Sequence, residues 1–219
     1  MALGHGPRVV TDGLVLALDA ADVSSYPGSG TTWTDLSGNE NNGTLSTTYT
    51  HNSAEGFLKF SGSGVATVSS LLLSNVTWEL FYRSNSSDTF SQYGRILDFG
   101  DTTISIGTAL SYQLRMWTNA GGSRSTASAL NGVGQDNTWH HIIYSYDGST
   151  TAFYFDSVYQ NGYAKSGALN GGSSADLTIG NGDVNLFNGD IAVVRVYNRA
   201  LTASEIQQNF NALRGRFGI

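Results

Sequence analysis

Four glutamates and four histidines are the side chains that acid–base or metal chemistry would draw on first in this 219-residue chain. A retaining glycosidase needs two carboxylates about 5 Å apart. On a strand that means positions i and i+2 or i+4, because alternate residues share a face. Of Glu40, Glu55, Glu79 and Glu205, Glu79 lies in the right kind of strand-like run, but Phe81 and Arg83 fill the places where its partner would stand. His140 and His141 are adjacent, so on a strand they face opposite sides and cannot hold one metal together. No Gly-x-Ser-x-Gly nucleophile elbow occurs, and no phosphate-cradling glycine loop precedes a helix. The chain is expected not to be an enzyme, and no organic cofactor is called for.

Binding chemistry is better represented. In Ser111-Tyr-Gln-Leu-Arg-Met-Trp-Thr118, Tyr112, Leu114 and Met116 share one parity and read as core, while Gln113, Arg115 and Trp117 share the other. A Trp beside an Arg and a Gln on one sheet face suits a glycan or protein contact, since sugars stack on aromatic platforms flanked by planar hydrogen-bonding groups. Glu79 and Arg83 alternate in the same way on Val76 to Arg83 and join that candidate surface. The alternative is that a loop covers Trp117 and that Arg115 pairs with Glu79. For metals, calcium is the one candidate, at Asp98 and Asp101, with Asp183 and Asn185 as a second loop of the same kind. Each of these is also readable as an Asx-turn residue bonded to its own backbone, which is the favoured alternative.

Composition narrows the partners. The net charge is −6, lysine occurs only at Lys59 and Lys165, and no basic stripe exists, so nucleic acid is not expected. No run is long and apolar enough to span a bilayer. With 0 Cys there are neither disulfides nor thiolate metal sites. Charged residues make up 13% of the chain, and Gly, Ser, Thr and Asn dominate. That composition fits many turns between short strands; it also fits a surface that packs against other subunits. The opening residues carry no basic region followed by an apolar stretch, so no secretory signal is read, and the initiator Met is taken as the start of a complete chain.

The elements that must position these residues are strands. β-branched and aromatic runs recur between Gly/Asn/Ser/Asp clusters, which favours a sandwich or barrel over alternating βα units. The expected strands include 14–19, 76–83, 95–99, 111–118, 139–146, 152–156, 177–180 and 190–197, while residues 33–43 read as a turn-dense excursion. Helix is confined to 203–213, with Thr202 and Glu205 at capping-box spacing, Ile206, Phe210 and Leu213 on one face, and Gly215 placed to end it. This helix is expected to pack over the open end of the sandwich. The expected organisation is an N-terminal arm at 1–8, one domain at 9–214 and a C-terminal tail at 215–219, both termini being loose or ordered only on a neighbouring subunit.

Three segments carry a resemblance: Phe187-Asn-Gly-Asp-Ile-Ala-Val-Val-Arg-Val-Tyr-Asn-Arg-Ala-Leu-Thr-Ala-Ser-Glu-Ile206, Asn137-Thr-Trp-His-His-Ile-Ile-Tyr-Ser-Tyr-Asp-Gly-Ser149 and Gly13-Leu-Val-Leu-Ala-Leu-Asp-Ala-Ala21. They resemble laminin-G-like domains of the concanavalin A-like lectin/glucanase superfamily. The resemblance implies an all-β, concanavalin A-like β-sandwich (jelly roll) of two antiparallel sheets with a short C-terminal helix. The family's glucanase carboxylate run is absent here. Where the family strand carries acidic residues, this chain has Ala192 and Val193, which implies an apolar patch if that face is exposed. The family's Tyr-Val-Asp-Gly hairpin becomes Tyr154-Phe-Asp-Ser157, with the turn expected at Asn161-Gly162 and Tyr159 and Tyr163 on a longer hairpin. Ala192, Val193, Tyr159 and Tyr163 are thus the candidate assembly contacts, and Val193→Glu is expected to weaken assembly while leaving the sandwich folded. With its Gly-Pro-Arg-Val-Val-Thr-Asp-Gly opening, the chain also resembles structural proteins of marine tailed phages. That resemblance implies a virion location and a capsid-decoration, tail or fibre role, with other virion proteins and further copies of the chain as partners. The alternative is a glycan-binding adhesion module with cell-surface glycans as partners, and the least favoured is a glycoside hydrolase.

Overall fold

In the computed structural model, residues 7–46, 48–61, 64–69, 71, 73–84, 95–99, 136–167, 176–180 and 187–219 are described, together with the backbone of 104–109, 113–120, 123–130, 181–182 and 185–186. Two antiparallel eight-stranded sheets stack face to face. The first runs Val158–Asn161, Thr151–Phe155, Trp139–Tyr146, Val76–Arg83, Asn188–Tyr197, Phe57–Ser61, Tyr49–Asn52, with Leu14–Asp19 also pairing along Asn188–Tyr197. The second runs Ser123–Leu130, Gln113–Ala120, Ile104–Ala109, Arg95–Phe99, Leu177–Ile179, Ala66–Val68, Gly43–Leu45, Thr32–Trp33. Among the described residues no helix is long and apolar enough to cross a membrane.

Strand periodicity explains the layering. Val76, Trp78, Leu80 and Tyr82 point between the sheets, where they meet Leu18, Phe60, Leu97, Tyr144 and Ile179 in one buried core. The alternate residues Thr77, Glu79 and Phe81 point away from the second sheet, yet they too are fully buried. The reason is the helix Ala203–Phe217, which lies across the outer face of the first sheet instead of closing the end of the sandwich. Its inward stripe is Ile206, Asn209, Phe210 and Phe217.

Local chemistry fixes both ends of that helix. Thr202 accepts from the Glu205 amide and the Glu205 carboxylate reaches back to the Thr202 amide, which satisfies two otherwise orphaned donors. Arg199 grips the same carboxylate through both terminal nitrogens, and chiefly this bond holds Glu205 down at about 2. Gly215 does not stop the helix. It continues to Phe217 because that ring stacks on Phe81 at 4.5 Å, and Gly218 (φ 72°) supplies the left-handed cap. Residues 215–219 are therefore docked, with Ile219 against the same cluster. On the N-terminal side, the Arg8 carbonyl accepts from Gln208 and the Val10 amide donates to Asn209, while residues 1–6 of the expected arm lie outside the described residues.

A bulge in Asn188–Tyr197 has a large effect on side-chain placement. Its pairing with Val76–Arg83 slips between Ile191 and Val193. The extra residue puts Ala192 and Val193 on the same, helix-facing side, where parity would have split them. The turn of the next hairpin also differs from expectation. It is Asp156-Ser157, with φ of 47° and 64°, the backbone of a two-residue type I′ connection. Asp tolerates that conformation, and its carboxylate accepts from the His141 amide at 2.8 Å, which helps offset the strain. Asn161 consequently ends the second strand opposite Phe153.

Candidate functional site

The residues singled out in the sequence do not form one site. Val76–Arg83, bearing Glu79 and Arg83, belongs to the first sheet, and Gln113–Ala120 belongs to the second. Arg115 pairs in register with Gly107, and Trp117 with Ser105 and Thr126; the side chains of Gln113, Arg115 and Trp117 lie outside the described residues. Glu79 is not a surface group: it is 0% exposed beneath the helix. His141 Nε2 donates to its Oε1 at 2.9 Å, and Asn209 Nδ2 and the Tyr197 hydroxyl donate to its Oε2 at 2.9 and 3.4 Å. Arg195, not Arg115, supplies the countercharge at 3.3 Å, as an ion pair aimed too obliquely for a good hydrogen bond. Burial alone would push the Glu79 carboxyl up, but Arg195 and His141 together hold it below the usual range. A carboxylate held ionised and sealed in this way can anchor a helix but cannot protonate a glycosidic oxygen.

Ala192 and Val193 are likewise covered, both 0% exposed against Phe57, Phe81 and Phe217. The apolar substitutions at the family's acidic positions serve the chain's own helix, so the expected assembly patch at these two residues does not exist as a free surface. Arg83 is engaged by Asp190 at 2.7 Å and Glu55 at 3.4 Å and lies over the Phe57 and Trp139 rings. Asp98 is buried and ion-paired with Arg95, which occupies the carboxylate that calcium would need; Asp101 and Asp183 lie outside the described residues. Among the described residues, no three His, Cys, Asp or Glu side chains converge as a metal site. Tyr163 is half-buried on the core edge, and Tyr159 is 54% exposed beside Val158 at 60%.

His140 faces the opposite side from His141 and acts as a clasp. Its Nδ1 lies 3.0 Å from Asp156 and its Nε2 3.1 Å from Asp136, and Thr138 Oγ1 is 2.9 Å from Nε2. Only the doubly protonated ring can donate to both carboxylates. Burial would lower its pKa, but the bonds and charges of Asp156 and then Asp136 more than offset this and raise it. A raised folded-state value means that the clasp stabilises fully below the ordinary histidine value of about 6.5 and is lost as pH rises through the higher one. Asp136, lowered by Thr138 and His140 against the effect of burial, contributes above its ordinary value and fails only in acid. In urea titrations, the stability gap between wild type and His140→Gln should be widest below the ordinary histidine value and close with rising pH. A gap independent of pH would show that the ring only packs.

Among the described residues, a concave surface lies elsewhere, at the edge strand Tyr49–Asn52 of the first sheet. Tyr49 and His51 share a face with their cross-strand partners Phe60 and Leu58, both buried, whereas Thr50 and Lys59 face the other way. Opposite them runs the loop from Tyr26 to Thr31, bent by Gly28 (φ 96°) and Gly30 (φ 91°). The two walls enclose an open cleft of about 470 Å³. The Tyr26 and Tyr49 hydroxyls are 2.6 Å apart, and both lie within reach of the Gly30 carbonyl, at 3.2 and 2.5 Å. Burial first, then the bond with Tyr49, pushes the Tyr26 phenol up, so it stays protonated. The His51 ring stands edge-on to Tyr26 at 4.9 Å, with Nε2 3.0 Å from the Ala20 carbonyl. None of the candidate residues read from the sequence lies in this cleft. The available signal was Tyr49-Thr-His51 at period two, two strands away from any recognised motif.

A family model of the laminin G type, described as the Concanavalin A-like lectin/glucanases superfamily, matches residues 60–207. No curated protein matches the chain in sequence. Among solved structures, the binding domain of botulinum neurotoxin DC in complex with SialylT superimposes with a TM-score of 0.71 at 15% identity, over 93% of this chain and 52% of that one. The Trypanosoma rangeli sialidase in complex with sialic acid gives 0.70 at 17% identity, over 99% and 35%. The binding domain of Paraclostridial Mosquitocidal Protein 1 gives 0.69 at 17%, over 92% and 52%. At these identities the likeness is one of fold, and the chain spans about half the length of the toxin binding domains it matches.

Proposed function

The chain belongs to the concanavalin A-like lectin/glucanase superfamily, and from that premise we propose that it is a non-enzymatic, lectin-like module whose glycan sits against Tyr49 and His51, backed by the buried Tyr26. The observation that carries this reading is the cleft. Its volume of about 470 Å³ falls in the range of small-ligand sites, and its walls combine two phenol rings, an imidazole and a turned backbone carbonyl. Non-enzymatic action is supported by Glu79, the strand glutamate, which is sealed and ion-paired with Arg195. Titrating oligosaccharides into the protein by calorimetry tests the reading. We expect binding that weakens about tenfold or more in Tyr49→Ala, a loss of about 1.4 kcal/mol, with an unchanged far-UV spectrum. Absence of binding by any sugar at millimolar concentration, or equal binding by the variant, would overturn it.

A virion role, with further copies of the chain or other virion proteins as partners, keeps one physical support: the exposed Val158-Tyr159 pair on the outermost strand of the first sheet. Light scattering after size exclusion, with co-sedimentation on purified particles, tests that second reading. A strictly monomeric protein that never sediments with particles would count decisively against it.

A further inference from the structure

Resting on the glycan reading above, the hydrogen-bond arrangement of the cleft points to a ligand class: we infer that it takes a neutral sugar and rejects sialylated, uronate-bearing and sulfated glycans. The protons of the cleft are already committed. Each phenol has a single proton to give. In the triangle of Tyr26, Tyr49 and the Gly30 carbonyl, with sides of 2.6, 3.2 and 2.5 Å, both protons are spent internally. What Tyr49, the half-buried member of the pair, offers the cleft is lone pairs. His51 behaves alike: its contact with the Ala20 carbonyl requires the proton on Nε2. In the neutral ring Nδ1 is then an acceptor, and it faces the loop, where a Cβ at Gly28 would stand 3.6 Å away. Tyr49 and His51, both half-buried, therefore meet the ligand as acceptors, with Tyr26 buried behind them, which suits sugar hydroxyls and opposes a carboxylate or sulfate.

Charge acts in the same direction. None of the nine residues lining the cleft is Lys or Arg. Lys59, cross-strand from Thr50, projects from the opposite face of the sheet to Tyr49 and His51. Arg216, near the same edge, is committed to Asp19 at 2.8 Å and the Gly56 carbonyl at 2.6 Å. An anion entering the cleft would lose hydration with no Lys or Arg to replace it, a cost that the neutral Ser and Thr hydroxyls of the lining recover only in part. The sialyl ligands named for two proteins of the same fold therefore do not carry over to this site.

The test is an array of neutral, sialylated, uronate-bearing and sulfated oligosaccharides probed with the full chain at neutral pH, followed by calorimetry on every hit for wild type, Tyr49→Ala and Ser29→Lys. Ser29 is an exposed lining residue, so the added cation reaches the cleft without disturbing the core. We expect neutral hits only, lost in Tyr49→Ala, and an acidic counterpart at least about tenfold weaker whose disadvantage narrows in Ser29→Lys. Acidic hits that depend on Tyr49 would overturn the inference and leave the glycan reading standing. So would a neutral preference that Ser29→Lys does not change, because charge would then not set it. No hit of any class overturns the glycan reading and this inference with it.

Discussion

Val193→Glu should cost about 4–5 kcal/mol or more, the range of an unpaired charge forced into a packed interior, and should strip the C-terminal helix from its sheet or unfold the chain. Sequence alone suggests the reverse, a folded sandwich with weakened assembly. The difference lies in what covers the residue: Val193 is 0% exposed, and Phe217, Phe81 and Phe57 occupy the space a carboxylate would need. The basic groups nearby are already committed: Arg195 to Glu79, and Arg83 and Arg216, which lie over the Phe57 and Phe217 rings, to Asp190 and Asp19. Urea denaturation monitored by far-UV circular dichroism measures the loss. A variant with a wild-type midpoint and altered oligomeric state would restore the patch as an external contact and refute the buried placement.

Glu79→Gln should be nearly as damaging, by about 3–5 kcal/mol, because removing one member of a buried ion pair leaves the other uncompensated. Arg195 is 6% exposed and, among the described residues, has no other carboxylate at hand. A glutamine has one oxygen where the carboxylate has two, so either His141 Nε2 or the Asn209 Nδ2 and Tyr197 pair is left facing an amide NH2, and the charge that strengthens each bond is lost. The pH dependence follows. With its folded-state value lowered, Glu79 contributes stability above its ordinary value and loses it as pH falls through the lowered one. The wild type should therefore lose more stability than Glu79→Gln on acidification. The substitution separates two interpretations of this residue: a catalytic acid would lose turnover at little cost in stability, whereas the anchor loses stability with no hydrolysis to lose. A midpoint shift under about 1 kcal/mol, well below the buried-pair range, would show that the helix is held by its aromatic contacts alone.

The strands were legible wherever β-branched and aromatic residues alternate over a full run. Leu14–Asp19, Val76–Arg83, Arg95–Phe99 and Trp139–Tyr146 begin and end where the pattern places them. Short strands such as Gly43–Leu45 and Ala66–Val68 were not, because three residues between glycines and serines carry no periodicity to read. The helix was found from its cap and stripe but stopped too early: Gly215 looks like a terminator, and only the stacking of Phe217 on Phe81 shows why it is not one. Parity placed Glu79 on the outer face correctly, yet exposure did not follow, since whether a second layer lies on a sheet is a tertiary fact. Ala192 and Val193 escape the sequence pattern for a related reason, as the bulge that puts both on the helix-facing side has no signature in their side chains. The cleft depends on the meeting of a glycine-bent loop with an edge strand, and neither segment alone resembles a site.

The placement of Asn188–Tyr197 in the interior of the first sheet has a consequence for how the protein is made. It separates Val76–Arg83 from Phe57–Ser61 and Leu14–Asp19, and the helix that follows it joins Asn209 to Val10 across 199 residues of chain. At ribosomal rates of roughly 5–20 residues per second, the early strands wait on the order of 10–40 s for the neighbour that completes their ladder. Throughout that interval Val76–Arg83 and Leu14–Asp19 present unpaired edges, the template on which nascent chains stick to one another. Slow translation thus works against this topology, and yield in expression should depend more on chaperone supply and temperature during synthesis than on the stability of the finished fold.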